Sequence, residues 1–146
     1  MGQQQLLLLV LGTVIVGVAI VVGINVFSSG AIQANQDAVI QDCLTIAGKA
    51  LTWAKTPQLM GGGMINGVAS FGDGTTDCDF YQLKYASTVG ATTITNANGS
   101  FTINTAAGND FQIEGTGVEG GTVTINVDLT NAAGQEIEPP TIVNPS

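Results

Sequence analysis

Few side chains in this sequence of 146 residues can do chemistry. There is no His, and Lys+Arg number 3 against 11 Asp+Glu, for a formal net charge of -8. The commonest acid/base group and metal ligand is therefore missing. Lys49, Lys55 and Lys84 are too few and too scattered to hold a polyphosphate. The sequence assigns no catalytic, cofactor-binding or metal-binding residue and points to no enzyme, no cofactor and no nucleic-acid partner. Cys43 and Cys78 are the whole cysteine inventory. Two thiols cannot by themselves build a zinc site, and no CxxCH haem pattern occurs. What remains open to them is a disulfide, or a buried Cys43 on a helix face and an unrelated Cys78 in a loop. Asp73, Asp77 and Asp79, in GDGTTDCDF, offer oxygen ligands of the kind calcium takes. Their order does not match an EF-hand loop, so a solvated acidic turn is the plainer reading. Asn98-Gly99-Ser100 fits a glycosylation sequon, while the same Asn-Gly pair signals a hairpin turn.

The elements that would carry these residues begin with a membrane signature. No charged residue precedes Asp37, although the chain as a whole is 45% hydrophobic with a mean hydropathy of +0.36. From Leu6 to Phe27 the sequence reads LLLLVLGTVIVGVAIVVGINVF. At about 1.5 Å per residue such a helix covers roughly 33 Å, enough for a hydrocarbon core of about 30 Å. A cleaved secretory signal is a competing reading, since Ser29-Gly30-Ala31 offers small residues, but Met1 to Gln5 has no basic residue and the apolar run is long for a signal. A plain single-pass anchor is the more serious competitor.

The helical pattern continues beyond this block, with no Pro before Pro57. Ile32, Val39, Cys43, Ile46, Ala50 and Trp53 fall on one face, widened by Ile40, Leu44, Ala47 and Leu51. The spacing predicts one helix from about Leu6 to Lys55, weakest at Gly23 and at Ser28-Ser29-Gly30, where a bend would cost least. After Pro57 the composition turns to Gly, Thr and Asn, and the period turns to two. Strands are predicted at Phe80–Ala86, Ala91–Asn96, Ser100–Thr105, Asp110–Glu114 and Thr122–Thr130, with Asn98-Gly99 as a hairpin turn. A one-sided antiparallel sheet must bury its apolar face, and the amphipathic half of the helix is the only large partner. The fold class is thus α+β. Residues 1–30 form an apolar transmembrane or filament-core helix and 31–56 its amphipathic continuation. A Gly-rich loop over 57–79 leads to an antiparallel sheet over 80–135. The Pro-containing tail, 136–146, is extended, with the alternative that it lies as a strap.

A long N-terminal helix, apolar in its first half and packed under a small antiparallel sheet in its second, resembles the type IV pilins. That resemblance implies a structural subunit, stored in the membrane and assembled by pilus machinery into an extracellular helical homopolymer. The filament-core helix would then present Leu6, Leu9, Val10, Val14, Val16, Val18, Val21, Val22 and Phe27 to neighbouring copies. The N-terminal processing region comprises Met1, Gly2, Gln3 and Gln5. Pilin precursors usually carry a basic leader ending in Gly, with Glu at the fifth mature position. Cleavage after Gly2 would place Leu7 fifth, and counting from Met1 places Gln5 there, so neither register supplies the Glu. With both cysteines on the extracytoplasmic side, a Cys43–Cys78 disulfide is expected, contributing about 3–4 kcal/mol by chain entropy. Asn98 is the glycosylation candidate. The alternative function is a single-pass anchored extracytoplasmic domain with a binding role, and a minor pilin or secretion pseudopilin is a variant of the filament reading.

Overall fold

The computed structural model describes residues 2–72, 77–130 and 136–144. Helix α1 spans Gly2–Ala54, and five strands follow: β1 Thr93–Thr95, β2 Gly99–Ala107, β3 Asp110–Gly117, β4 Thr122–Asp128 and β5 Thr141–Val143. They form one antiparallel sheet in the order β1-β2-β3-β4-β5. The expected α+β class is therefore the observed one. The chain separates into two compact units, Met1–Ala34 and Asn35–Ser146.

The first unit is helix alone. Its hydrogen bonds are closed within the backbone, and the helix continues through Gly23 and Ser28-Ser29-Gly30 without a break. Thr13 Oγ1 donates to the Val10 carbonyl at 2.8 Å and Ser29 Oγ to the Asn25 carbonyl at 3.0 Å. These back-bonds satisfy both hydroxyl donors on carbonyls of the helix itself.

In the second unit, α1 from Asn35 onward lies against the sheet. Val39, Cys43, Ile46, Ala47, Ala50, Trp53 and Ala54 are buried, the face expected from their spacing. Alternation does the rest, since successive side chains on a strand point to opposite faces. Phe101 and Ile103 of β2, Phe111 and Ile113 of β3, and Val123, Ile125 and Val127 of β4 all point inward and are buried. Ile103 pairs with Ile113 and Ile113 with Ile125, so the apolar rows align across the three central strands. Helix and sheet are in tight contact at Gly115. A Cβ there would lie 2.7 Å from Cys43 Sγ and 2.8 Å from Val39 Cγ1, so only Gly fits.

Two expectations about local structure are corrected. Phe80–Ala86 is a succession of turns, not a strand. Asp79 redirects the backbone there: its carboxylate accepts from the amides of Gln82 (2.7 Å) and Gly90 (2.5 Å), while Tyr85 N and Ala86 N both donate to the Phe80 carbonyl. Side-chain capture of backbone donors outcompetes a ladder. Phe80 and Leu83 are buried, and Tyr85 meets Phe80 edge-on at 6.1 Å between centroids. The second correction concerns the β1–β2 hairpin, which is not closed by Asn98-Gly99 as a two-residue turn. Thr95 pairs with Ser100, and the Asn96 carboxamide oxygen accepts from the amides of Asn98 and Gly99. Neither Asn98 nor Gly99 has the positive φ that a type I′ turn needs.

The tail forms the sheet edge. Ile137 bridges Val127, Glu138 N donates to the Asn126 carbonyl, and β5 pairs with Thr122–Thr124 beyond Pro139-Pro140. Proline is tolerated at an edge because its missing donor faces away from any ladder. Lys55 Nζ holds Glu136 at 2.6 Å, and Gln36 Nε2 donates to Asn144 Oδ1 at 3.0 Å.

Candidate functional site

The residues that stand out for function are those the fold does not use. Every large aliphatic side chain from Leu6 to Val26 is exposed, from 52% at Leu11 upward, and Phe27 reaches 84%. Leu6, Leu9, Val10, Val14, Val16, Val18, Val21 and Val22 all belong to this set, so the expected core-helix residues are brought onto one rod with apolar side chains around its whole circumference. The segment is long and apolar enough to cross a membrane, and none of it is buried within the chain. An exposed apolar surface of this extent marks a lipid or protein contact. Gln3 and Gln5 are exposed at its start. Gly2 opens the helix, and Met1 lies outside the described residues.

The cysteines are placed differently from expectation. Both are free thiols buried in the core, and the Cys43–Cys78 disulfide is not formed. Each thiol is instead enclosed in the apolar core. Cys43 Sγ lies against Gly115 of β3, and the Cys78 N–H donates to the Phe71 carbonyl at 2.8 Å. Burial, with the Asp42 charge as a lesser contribution, pushes the Cys43 thiol up to about 12. Burial and then Asp79 do the same for Cys78. Such thiols are poor nucleophiles, because the thiolate is the reactive form.

Of the acidic turn, Asp73 lies outside the described residues. Asp77 and Asp79 line one open cleft with Gln82, Gly90 and Asn104. The Asp79 carboxylate is already engaged by two backbone amides. Among the described residues no group of three His, Cys, Asp or Glu is arranged to hold a metal. Asn98 is half-buried, and its Nδ2, the atom a glycan would take, donates to Asp42 Oδ2 at 2.7 Å. Asn96 Nδ2 donates to the same oxygen at 2.9 Å, and Asn35 Nδ2 donates to the Asn98 carbonyl at 2.9 Å. This polar clamp ties the hairpin to the helix, and sequence reasoning missed it. Its signal was Asp42 on the helix facing two asparagines in a turn, visible only once the register is known.

Comparison of the chain with protein-family models, with curated proteins and with solved structures finds no match.

Proposed function

We propose that this chain is the structural subunit of an extracellular, type IV pilus-like filament, assembled by packing of the N-terminal apolar helices. The observation that carries the reading is the division of labour along α1. From Val39 the helix is the floor of a sheet domain, whereas Leu6–Phe27 has exposed apolar side chains on every side and is not buried by any of the described residues. Such a rod must be covered. In a bilayer, lipid covers it, so helices gain from association only through packing and hydrogen bonds. Once drawn out of the bilayer, water would meet the same surface, and each Å² buried against another copy is worth about 25 cal/mol. A membrane-held pool and a filament with a dry helical core are thus two ways of covering one surface. The sheet unit folds around its own core and stays outside the bundle in this reading. The chain's role is architectural, with no catalytic step.

The same exposed segment also favours a second reading, a single-pass anchor carrying an extracytoplasmic binding domain, because it is long enough to span a membrane. One experiment separates the two. Cells expressing the full chain are sheared, and the released material is imaged by negative-stain electron microscopy and identified by intact-mass spectrometry. Filaments whose main component has the mass of this chain support the subunit reading. A protein found exclusively in the membrane fraction supports the anchor.

A further inference from the structure

The polar side chains of the apolar half of α1 fall in two bands. Gln3, Gln4 and Gln5 open the helix, and Asn25, Ser28 and Ser29 close the apolar run, with only Thr13 between them. Thr13 and Ser29 spend their hydroxyl protons on their own helix. The side-chain amides of the three glutamines and of Asn25 have no hydrogen-bond partner among the described residues and are exposed. Each offers two N–H donors and an accepting carbonyl.

Gln5 and Asn25 stand 20 positions apart, about 30 Å along a helix. That is also about the thickness of a hydrocarbon core, so in a membrane both bands reach hydrated depth and neither amide is left dry. A filament core removes that water. There, an amide facing Leu, Val or Ile keeps its donors and acceptor unsatisfied in an apolar setting. An open filament needs neighbours related by translation, since unshifted rotation closes into a ring. The translation that sets one polar band against the other is the separation of the bands.

We infer that touching helices in the assembly are staggered by about 20 residues, so that the Gln3–Gln5 amides of one copy face Asn25 of the next. The partner is a second copy because the pairing is self-complementary. Amides can bond amides of an identical chain, no charge precedes Asp37, and like carboxylates at these positions would repel. The inference rests on the filament reading and adds to it an axial register and the residues that set it.

The test uses the full-length chain with Gln5→Cys and Asn25→Cys together, compared with each single change. Filaments and detergent-solubilised subunits are treated with a thiol oxidant and run on non-reducing gels. The native Cys43 and Cys78 are buried and stay silent. The stagger predicts a ladder of linked multimers from the double variant in filaments, because every copy bonds one neighbour above and one below. Neither single variant nor the solubilised subunit should give it. Double-variant filaments that stay monomeric, or a dimer band from Asn25→Cys alone, would overturn the inference while leaving the filament reading intact. Should the double variant not assemble, the wild-type filament's helical symmetry gives the same answer. A contact pair offset by about 30 Å supports the stagger, and offsets that all set Asn25 against aliphatic side chains overturn it. Absence of any wild-type filament refutes the filament reading itself.

Discussion

Replacing Gly115 by Ala probes how closely helix and sheet are fitted. The new Cβ would sit 2.7 Å from Cys43 Sγ, 2.8 Å from Val39 Cγ1 and 3.1 Å from Phe101 Cδ1. Carbon contacts settle at about 3.5–4.0 Å, so the helix must retreat by something under 1 Å or its side chains must leave their rotamers. All three neighbours are fully buried, in an interior that close packing leaves with few voids. Overpacking of this kind costs about 1–3 kcal/mol. The entropy Ala saves in the unfolded chain offsets about 0.4–1 kcal/mol of that, and φ at Gly115 is not positive, so backbone strain adds nothing. A net loss of about 1–2 kcal/mol is expected, read in detergent by urea unfolding with the single Trp53 as probe. Cys43→Ala removes the closest atom and should relieve the clash. The double variant is then less destabilised than the two single losses together, by about 1 kcal/mol. Full stability of Gly115→Ala, or additivity with Cys43→Ala, would refute the close-approach argument.

The thiols give a second test: alkylating reagents at pH 8 should label Cys43 and Cys78 only after unfolding, as mass spectrometry of the intact chain would register. Since both folded-state thiols titrate at about 12 against 9.0 when unfolded, the folded state holds those protons more tightly, and their stabilising effect is full below pH 9 and lost as pH rises toward 12. Cys78→Ala should flatten the fall in stability over that window relative to wild type, and an unchanged slope would count against the buried thiol. Third, a fragment beginning at Ser28 should be soluble and unfold cooperatively, because the sheet's apolar face is covered by Val39–Ala54 and the compact unit begins at Asn35. An insoluble or non-cooperative fragment would mean that the apolar segment belongs to the core.

What the sequence made legible was whatever depends on periodicity. The apolar run and the amphipathic face from Val39 to Trp53 follow from helical spacing, and the Val123–Val127 alternation follows from strand spacing, so α1 and β4 were readable to within a few residues. Phe80–Ala86 was misread because Phe80, Tyr81, Leu83 and Tyr85 have strand-like composition, while the deciding atom is the Asp79 carboxylate outside the segment. β5 was hidden by Pro139-Pro140, since its pairing with Thr122–Thr124 is a long-range event with no local pattern. The cysteine count is plain from the sequence, but the expected Cys43–Cys78 pairing is not what the fold holds. An even count in an extracytoplasmic setting suggests a bridge, but both positions carry the apolar environment of a core thiol, which depends on the packing around Gly115 and Phe71. The apolar rod, by contrast, was legible from composition alone, since the run from Leu6 to Phe27 contains no charged residue.

If Leu6–Phe27 is covered by copies of itself, Val16→Asp should abolish assembly. Val16 lies mid-run and exposed, and no cation occurs in the sequence before Lys49. In a packed core the carboxylate would face apolar neighbours on all sides, costing several kcal/mol or forcing its protonation, and the cost recurs in every subunit. A lone anchor would bear about 2.5–3.5 kcal/mol once, which so apolar a span can offset. The measurement is the ratio of sheared surface filament to membrane-inserted subunit in cells expressing the variant. Loss of filament with membrane subunit retained is expected, and a normal filament yield from Val16→Asp would show that this helix does not line a packed core.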